Sequence, residues 1–327
     1  MVKKVWGVGL TAETESGKSL DTWYPYIFEG DVDEAKAKEL TAKLAHLEGK
    51  DDARLIVNKV ITVTADLEDD VQSAPDGYLR LHALSWRIVK PNTLSLEGLF
   101  DKLNLVAWTS RGACDYENFE ETRLRLMTKY GIGANIRCVD RIPRMTTYVT
   151  PDGVRIANTE NVRLGAYLHP GTEIGYTGFV NYNAGTLGAA RIEGRLSQGV
   201  TVDEGTTLAG GASTAGTLAV GIHKRVSLGK DCHMGANSGL AIPLGDDCVV
   251  EGGLYLNSDT KVYYMPSGGV MPGDTGFFIE PKTMLAEELA GVSHAVFRRN
   301  SQTGRIEAIA RAGVVGIELN DALHASN

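Results

Sequence analysis

The sequence predicts an α/β N-terminal domain, a left-handed parallel β-helix and a small C-terminal cap. Aliphatic residues recur at every sixth position between Ile156 and Val262, and the residue after each of them is often small. Glycine accounts for 38 of the 327 residues, well above the average share of roughly 7 %. A period of six fits neither an α-helix nor a single strand, whereas hexapeptide repeats indicate a parallel β-helix. We place the domain boundaries at 1–150, 151–265 and 266–327.

The N-terminal domain shows strand and helix patterns in turn. Val5–Leu10, Arg54–Val63 and Leu79–Val89 are rich in β-branched or alternating apolar residues, which predicts strands. Asp33–Leu47 and Glu117–Tyr130 carry the patterns of helices, and each is followed by a glycine, Gly49 or Gly131, suited to ending a helix. This domain contains no phosphate-binding loop. We expect it to serve in docking and oligomerisation.

The hexad register is interrupted three times. It slips by four residues after Ile192 and again after Leu240, and a loop at Gly221–Ser227 separates two further runs. The inward positions are Ile156, Val162, Leu168, Ile174, Val180, Thr186, Ile192, Leu196, Val202, Leu208, Thr214, Val220, Leu228, Met234, Leu240, Leu244, Val250, Leu256 and Val262. Each hexad supplies one short strand and one corner, and three hexads make a triangular coil. Gly, Asn and Asp at the corners permit the left-handed winding.

The residues after Val262 predict a cap. A Gly/Pro-rich loop comes first, and Pro281–Leu289 then fits a short helix with proline in its first turn. His294–Asn300 and Arg305–Arg311 are predicted to form a hairpin around Ser-Gln-Thr-Gly. Such a segment would cover the open end of the solenoid.

Composition narrows the possible partners. The formal net charge is −8 and the isoelectric point is near 5.5, which argues against a nucleic-acid partner. The four cysteines form no C-x-x-C pair, so we expect reduced thiols and a cytoplasmic protein. No apolar run approaches the length of a membrane span, so no membrane association is expected.

Several motifs within and after the repeat are shared with one enzyme family. They are FVNYNAGTLGAARIEGR (Phe179–Arg195), GGASTAGTL (Gly210–Leu218), GANSGL (Gly235–Leu240), GDDCVVEGGLY (Gly245–Tyr255) and FRRNS (Phe297–Ser301). From Gly131 to the C-terminus the chain resembles the tetrahydrodipicolinate N-succinyltransferases, in the branch with a long α/β N-terminal domain. The resemblance implies a homotrimer that transfers a succinyl group from succinyl-CoA to tetrahydrodipicolinate, a small-molecule substrate of lysine and diaminopimelate biosynthesis.

The resemblance assigns the catalytic roles to two residues. The catalytic glutamate of the family falls on Glu193. A carboxylate there could remove the proton from the attacking amine, or attack the thioester itself to give an acyl anhydride; the sequence leaves both routes open. Gly216 matches a loop glycine whose backbone N–H would stabilise the oxyanion. Read without the family, these are an exposed corner glutamate and a turn glycine.

The same resemblance implies a set of succinyl-CoA contacts. They are Arg195, Gly210, Ser213, Ala236, Glu251, Gly252, Lys282, Arg298, Arg299, Asn300 and Ser301. Three of them, Arg298, Arg299 and Lys282, would give an acidic protein a local basic patch for the phosphates of coenzyme A. Arg195 or a neighbouring copy's Arg191 are candidates for the carboxylates of the acceptor.

A structural Mg²⁺ on the trimer axis is a further implication of the resemblance. The long branch uses two acids for it, one before the first full coil and one just ahead of the Gly-Phe-Val-Asn motif. Glu160 matches the first position, but the second is Thr177. This departure puts the metal in question.

Other functions fit parts of the pattern. A hexapeptide acetyltransferase would depend on a histidine, and His169, His223 and His233 lie in the repeat region. The same three histidines also suggest the zinc site of a hexapeptide carbonic anhydrase, although their spacing fits such a site poorly. A non-enzymatic trimeric scaffold would bind no coenzyme A. A sugar-nucleotide pyrophosphorylase is disfavoured because the N-terminal domain lacks a glycine-rich nucleotide loop.

Overall fold

The computed structural model describes residues 2–217, 224–265 and 281–311. The chain divides into two compact units. The N-terminal unit is Met1–Thr150 with Arg163–Gly165, and the C-terminal unit is Pro151–Val162 with the chain from Ala166 onward. Among the described residues, no helix combines the length and the apolar character needed to cross a membrane.

A four-stranded antiparallel sheet forms the centre of the N-terminal unit. Its strands are β1 (Lys4–Thr14), β2 (Ser19–Glu29), β3 (Gly49–Asp51) and β4 (Ile56–Asp66), in the order β2-β1-β4-β3. Helix α1 (Glu34–Leu44) is capped by Asp33 and continues into a 3₁₀ turn, Ala45–Leu47. Its buried residues pack against Trp6 and Val8 of β1. The predicted first helix and the first two predicted strands are confirmed.

The predicted strand at Leu79–Val89 is wrong, because helix α2 (Ala74–Ser85) occupies most of this segment. The Ser73 side chain caps the helix by accepting from Asp76 N–H. Every residue from Asp76 to Ser85 is buried. A helix that is buried on all sides has no polar stripe, so its sequence lacks the helical period that the prediction relies on.

The rest of the N-terminal unit is a smaller sheet and two helices. Its remaining elements are α3 (Leu99–Lys102), β5 (Val106–Thr109), β6 (Gly112–Asp115), α4 (Phe119–Tyr130) and β7 (Ile136–Asp140). The strands are antiparallel in the order β6-β5-β7. Helix α4 ends at Gly131, which has a φ of 70°, so the second predicted helix and its terminating glycine are confirmed.

The C-terminal unit is a parallel β-helix with three faces, each built from two-residue strands. The first face consists of β8 (Arg155–Ile156), β10 (Glu173–Ile174), β13 (Arg191–Ile192), β16 (Thr207–Leu208), β19 (His233–Met234) and β21 (Val249–Val250). The second consists of β11 (Phe179–Val180), β14 (Arg195–Leu196), β17 (Ser213–Thr214), β20 (Gly239–Leu240) and β22 (Tyr255–Leu256). The third consists of β9 (Tyr167–Leu168), β12 (Gly185–Thr186), β15 (Thr201–Val202) and β18 (Ser227–Leu228).

The hexad prediction is confirmed strand by strand. The second residue of each of these strands is a predicted inward position, and all but Ile156 are buried. Corner residues Asn183, Asp231, Asn237 and Asp247 have φ between 54° and 57°, as the predicted left-handed corners require. Val220 and the first three residues of the predicted loop, Gly221–His223, lie outside the described residues.

The cap is a sheet that continues the first face. Strand β25 (Ala295–Arg299) pairs in parallel with β21 and antiparallel with β26 (Ile306–Ala310), which confirms the predicted hairpin. Strands β23 (Lys261–Met265) and β24 (Lys282–Leu285) extend the sheet. The predicted helix at Pro281–Leu289 is wrong: its first part is β24, which takes its hydrogen bonds from β23, and only Ala286–Leu289 forms a 3₁₀ turn.

Candidate active site

The first corner of the β-helix joins each strand of the first face to the next strand of the second face. In most coils it is long, but between β13 and β14 only Glu193 and Gly194 remain. This shortening is the first four-residue slip of the hexad. It forces a tight turn, in which a Cβ on Gly194 would lie 2.4 Å from the Ala212 carbonyl oxygen. The slip therefore fixes the backbone on both sides of Glu193.

Glu193 is anchored by its backbone and directed by a neighbouring arginine. Its N–H donates to the Leu208 carbonyl (2.8 Å), and its Oε1 accepts from the Arg191 guanidinium (3.0 Å). The side chain is 39 % exposed, so a substrate can reach it. A Cβ on Gly175, in the preceding coil, would lie 2.6 Å from Glu193 Cγ. Glycine at 175 therefore makes the space in which the carboxylate lies.

Four of the predicted succinyl-CoA contacts occupy the same corner in later coils. Backbone bonds from Glu193 to Leu208, from Ala209 to Met234 and from Gly235 to Val250 stack these coils in register. The stacking aligns Gly210, Ala236, Glu251 and Gly252 along the corner that begins at Glu193. Small residues dominate this column, so it presents backbone rather than side chains to a ligand.

Arg195 and Ser213 lie side by side on the second face, where they are paired residues of β14 and β17. The Arg195 guanidinium stacks over the Phe179 ring, 4.5 Å from its centroid. This contact orients an exposed cation next to the corner that carries Glu193. The two residues therefore extend the corner column onto the second face.

Gly216 lies at the opposite end of the second face from Glu193. It follows β17 and lies over the preceding coil, where a Cβ added to Gly216 would be 3.2 Å from Ser197 Cβ. Glu193 precedes the adjacent strand, so the width of the face separates them, about 10 Å at roughly 3.3 Å per residue. Within one chain the two predicted catalytic residues are not brought together.

Residues of the predicted CoA set also occupy the cap hairpin. Glu251 accepts from the Arg299 N–H (2.7 Å), which ties the hairpin to the corner column. Arg298 pairs with buried Glu307 (3.1 Å), and Asn300 donates to the same carboxylate (2.8 Å). Ser301 lies in the exposed turn that follows. The charge of Arg298 is thus largely compensated by Glu307. The Arg299 guanidinium donates to the Gly304 carbonyl, a neutral acceptor.

The predicted basic patch is more dispersed than the sequence suggested. Lys282 is paired with Tyr264, Tyr264 with Ala308, and Ala308 with Phe297. Three strand spacings therefore separate Lys282 from β25, about 14 Å at roughly 4.8 Å each. Lys282 and Arg299 can bind one ligand only if that ligand is extended.

Comparisons with known proteins agree with this architecture. A family model described as the middle region of tetrahydrodipicolinate N-succinyltransferase matches residues 103–144, and one for the hexapeptide repeat of succinyl-transferase matches residues 225–258. The 2,3,4,5-tetrahydropyridine-2,6-dicarboxylate N-succinyltransferases of Pseudomonas paraeruginosa and Pseudomonas aeruginosa are each 45 % identical over 270 residues, covering 82 % of this chain and 75 % of theirs. The chain belongs to the tetrahydrodipicolinate N-succinyltransferase family.

A solved structure extends the likeness to almost the whole chain. It comes from Campylobacter jejuni, is described as a 2,3,4,5-tetrahydropyridine-2-carboxylate N-succinyltransferase, and superposes with a TM-score of 0.78 at 25 % identity. The match covers 98 % of this chain and 93 % of that one. With the hexapeptide match, it confirms the predicted N-terminal domain plus left-handed β-helix.

The residues present do not fit the axial Mg²⁺ that the family suggests. Glu160 lies in a 3₁₀ turn, Thr159–Asn161, as the one acid of the predicted pair. The Thr177 hydroxyl already donates to the Glu193 carbonyl (2.9 Å), and a neutral hydroxyl is a weaker Mg²⁺ ligand than a carboxylate. Within the described ranges, no group of three His, Cys, Asp or Glu residues is arranged to hold a metal.

The two alternative histidines that the structure describes, His169 and His233, do not share the corner that carries Glu193. A ring nitrogen of His169 lies 2.7 Å from its neighbour's carbonyl, on the third corner. His233 is on the first face, paired with Thr207 and Val249, and His223 lies outside the described residues. The sequence analysis did not identify Gly175 and Phe179 as residues that support the site. Gly175 leaves space for the Glu193 carboxylate, and Phe179 stacks with Arg195. Their place one coil before Glu193 and Arg195 follows from the hexad register, which could have identified them.

Proposed function

We propose that this chain transfers the succinyl group of succinyl-CoA to the amino group of tetrahydrodipicolinate, with Glu193 as the catalytic carboxylate. The observation that carries the proposal is the short first corner. It presents Glu193 at the start of a column that contains Gly210, Ala236, Glu251 and Gly252, the residues expected to contact the acyl donor. The names of the Pseudomonas relatives support the same acyl group and acceptor, and a succinyl transfer implies succinyl-CoA as the donor.

The reaction needs a base, an electrophile and a site for negative charge. The ring nitrogen of the acceptor is part of a C=N bond, so water first adds to that bond and gives an amine, in a cyclic or ring-opened form. The amine nitrogen then attacks the thioester carbonyl as Glu193 takes its proton, and the tetrahedral oxyanion accepts a hydrogen bond from the N–H of Gly216. Collapse expels the coenzyme A thiolate, which takes up the proton, and leaves an amide. Arg191 holds the carboxylate in position through its 3.0 Å hydrogen bond. In the acyl-anhydride alternative the same carboxylate attacks first.

A homotrimer completes this site in the proposal. Glu193 and Gly216 lie on opposite corners of one face, too far apart to act on the same carbonyl within a chain. Packing three prisms around an axis would bring the first corner of one copy to the second corner of the next. The supporting geometry is the position of Gly216 over Ser197, on the second corner.

Cationic groups near the column suit the two anionic substrates. Arg195 is next to the corner that carries Glu193 and is stacked on Phe179, which supports its role as a ligand for a carboxylate of the acceptor or of the succinyl group. Arg191 of a neighbouring copy is the alternative candidate. Arg299 and Lys282 are exposed cations of the cap, which supports a role in binding an extended chain of phosphates. A cytoplasmic location, consistent with free thiols at all four cysteines, belongs to the proposal.

The test is release of free thiol from succinyl-CoA, measured with and without tetrahydrodipicolinate or 2-aminopimelate. We expect Glu193→Gln to lower kcat by about 10²- to 10⁴-fold, the usual contribution of a positioned base. The matched control is Glu173→Gln, because Glu173 is an exposed glutamate of the preceding coil that pairs with Arg155. That variant should retain wild-type rates.

Three results would overturn the proposal. Equal rates for wild type and Glu193→Gln would remove the catalytic assignment. Thiol release that occurs with acetyl-CoA but not with succinyl-CoA would favour the acetyltransferase alternative, and no release with either donor would favour a scaffold.

A further inference from the structure

The N-terminal unit contains a cavity of about 480 Å³ that the succinyl-transfer proposal does not use. It lies between the central sheet and the edge of the smaller sheet, and the segment 144–148 closes one side. This volume is within the range of sites for small metabolites, roughly 300–1,000 Å³. All of its lining residues belong to the N-terminal unit, so the cavity can be considered by itself.

Three guanidinium groups and one carboxylate line the cavity, from Arg54, Arg137, Arg144 and Asp21. Arg54 is held by Asp51 (2.6 Å) and by the Ala113 carbonyl (3.2 Å). Arg137 is exposed at the entrance. Arg54 is ion-paired with Asp51, and Arg137 and Arg144 against Asp21 still give the lining more positive than negative charge, although the chain as a whole carries −8. A positively charged cavity in an acidic protein indicates a ligand with net negative charge.

Asp21 provides a fixed acceptor inside the cavity. The Tyr148 hydroxyl donates to its Oδ2, and the backbone of Ala12 is a second hydrogen-bond partner. A carboxylate has about four acceptor positions, so it can accept from a further donor. Burial raises the pKa of Asp21, and the Tyr148 hydrogen bond and the charge of Arg54 oppose that rise. A half-buried carboxylate facing arginines suits a ligand ammonium group that lies between them.

The apolar part of the wall is rigid and aromatic. Trp23 and Trp108 line it together with Tyr148. The Trp108 indole N–H donates to the Asp140 carbonyl (2.8 Å), and its ring meets Tyr148 edge-to-face at 6.3 Å. Such a wall accommodates a short aliphatic chain. The lining residue Thr146 adds a buried hydroxyl that has no hydrogen-bond partner among the described residues; a polar ligand would satisfy it.

We propose that this cavity binds an amino acid with a second carboxylate, its ammonium group at Asp21 and its carboxylates at the arginines. The aliphatic segment of the ligand lies against Trp23 and Trp108. The site is separate from Glu193 and from the predicted CoA contacts, which all belong to the C-terminal unit. The proposal therefore does not depend on the proposed succinyl transfer.

Tryptophan fluorescence of the full chain gives a direct assay. All four tryptophans, Trp6, Trp23, Trp86 and Trp108, lie in the N-terminal unit, and two line the cavity. The probes are L-2-aminoadipate, adipate, which lacks the amine, L-norleucine, which lacks the second carboxylate, and inorganic phosphate. We expect a saturable change with L-2-aminoadipate and at least tenfold weaker binding of the other three.

Variants locate the binding. Arg137→Gln should raise the dissociation constant for L-2-aminoadipate at least tenfold, and because Arg137 is exposed the change should leave the thermal transition in place. The matched control Arg111→Gln removes an arginine that stacks on Tyr130 (4.4 Å), outside the cavity, and should bind as wild type. Asp21→Asn should abolish the preference for L-2-aminoadipate over adipate.

Three outcomes would overturn the proposal. Absence of a saturable change would mean that the cavity binds no such ligand. Equal affinity for phosphate would mean a general anion site. Binding that survives Arg137→Gln but disappears in Glu193→Gln would place the amino acid at the succinyl-transfer site.

Discussion

The two units of this protein are stabilised in different ways. In the β-helix, one column of inward residues on each of the three faces carries the core, and successive coils hydrogen-bond to one another in register. In the N-terminal unit, strands distant in sequence pair, and the all-buried helix α2 brings charged and titratable groups into the interior. The first design is local and apolar, and the second is long-range and partly polar.

Arg80 shows what the polar design requires. It is buried with Asp76, its partner at 2.8 Å. Its guanidinium also donates to the carbonyls of Asp66, Asp69 and Ser95, each at 2.8 Å. A buried charge is tolerated only when every donor finds an acceptor. Arg80 thereby fixes two loops to helix α2, a task that the β-helix performs by repetition.

Removing this arginine should cause the largest loss of stability. Arg80→Met keeps much of the side-chain volume but leaves the buried Asp76 carboxylate without its countercharge, with the Gln72 N–H as its remaining donor within the described residues, and leaves three carbonyls without the Arg80 donor. We expect the free energy of unfolding to fall by about 3–5 kcal/mol, the usual effect of breaking a buried ion pair. Urea unfolding followed by tryptophan fluorescence measures it, since every tryptophan is in this unit. Arg123→Met, which removes a surface pair with Glu120, should change it by less than about 1 kcal/mol; equal losses would contradict the role given to Arg80.

The apolar design should break more locally. Leu208 is an inward residue of β16 with no exposed surface, and Leu208→Ala should cost about 3 kcal/mol through lost burial and the cavity left behind. The neighbouring Thr207 faces outward, so Thr207→Ala should cost no more than about 0.5 kcal/mol. Far-UV circular dichroism during urea unfolding reports the loss. We expect Leu208→Ala to lower the urea midpoint measured by dichroism more than the midpoint measured by tryptophan fluorescence. Equal shifts of the two midpoints would mean that the two units unfold together.

The contrast also explains which parts of the fold were predictable. The β-helix was predicted to the residue because its core repeats locally, so that Ile174, Ile192 and Leu208 follow from counting. Helix α2 was predicted as a strand because burial on all sides erased its period, although Ser73 and Pro75 were available as signals of a helix start. Strand β24 was predicted as a helix because its pairing with β23 leaves no mark in the local sequence.

The candidate site divides in the same way. The register alone places Gly210, Ala236, Glu251 and Gly252 on one corner. The resemblance identified Glu193 as the catalytic residue. Nothing else in the sequence separates it from an ordinary exposed glutamate. The pairing of Arg298 with Glu307, and the distance of Lys282 from β25, depend on strand order in the cap. The cavity around Asp21 was not foreseen, because its residues come from six separate segments.

Lowering the pH should destabilise the N-terminal unit through His82. The expected loss in the free energy of unfolding is smaller than for Arg80→Met or Leu208→Ala. His82 is buried against Tyr24 and Tyr148. Burial lowers its pKa from 6.5 to about 4, although the bond to the Tyr78 carbonyl opposes this. Between these values the unfolded chain binds a proton that the folded chain does not, so stability falls as the pH drops from 6.5 towards 4. At pH 5 the loss is about 2 kcal/mol, at 1.36 kcal/mol per pH unit.

His46 is the other histidine of Met1–Thr150 and is exposed. In tryptophan-detected unfolding between pH 7 and pH 5, His46→Gln should therefore keep the wild-type slope and His82→Gln, though less stable, should lose it; an unchanged slope in His82→Gln would assign the acid sensitivity to another group.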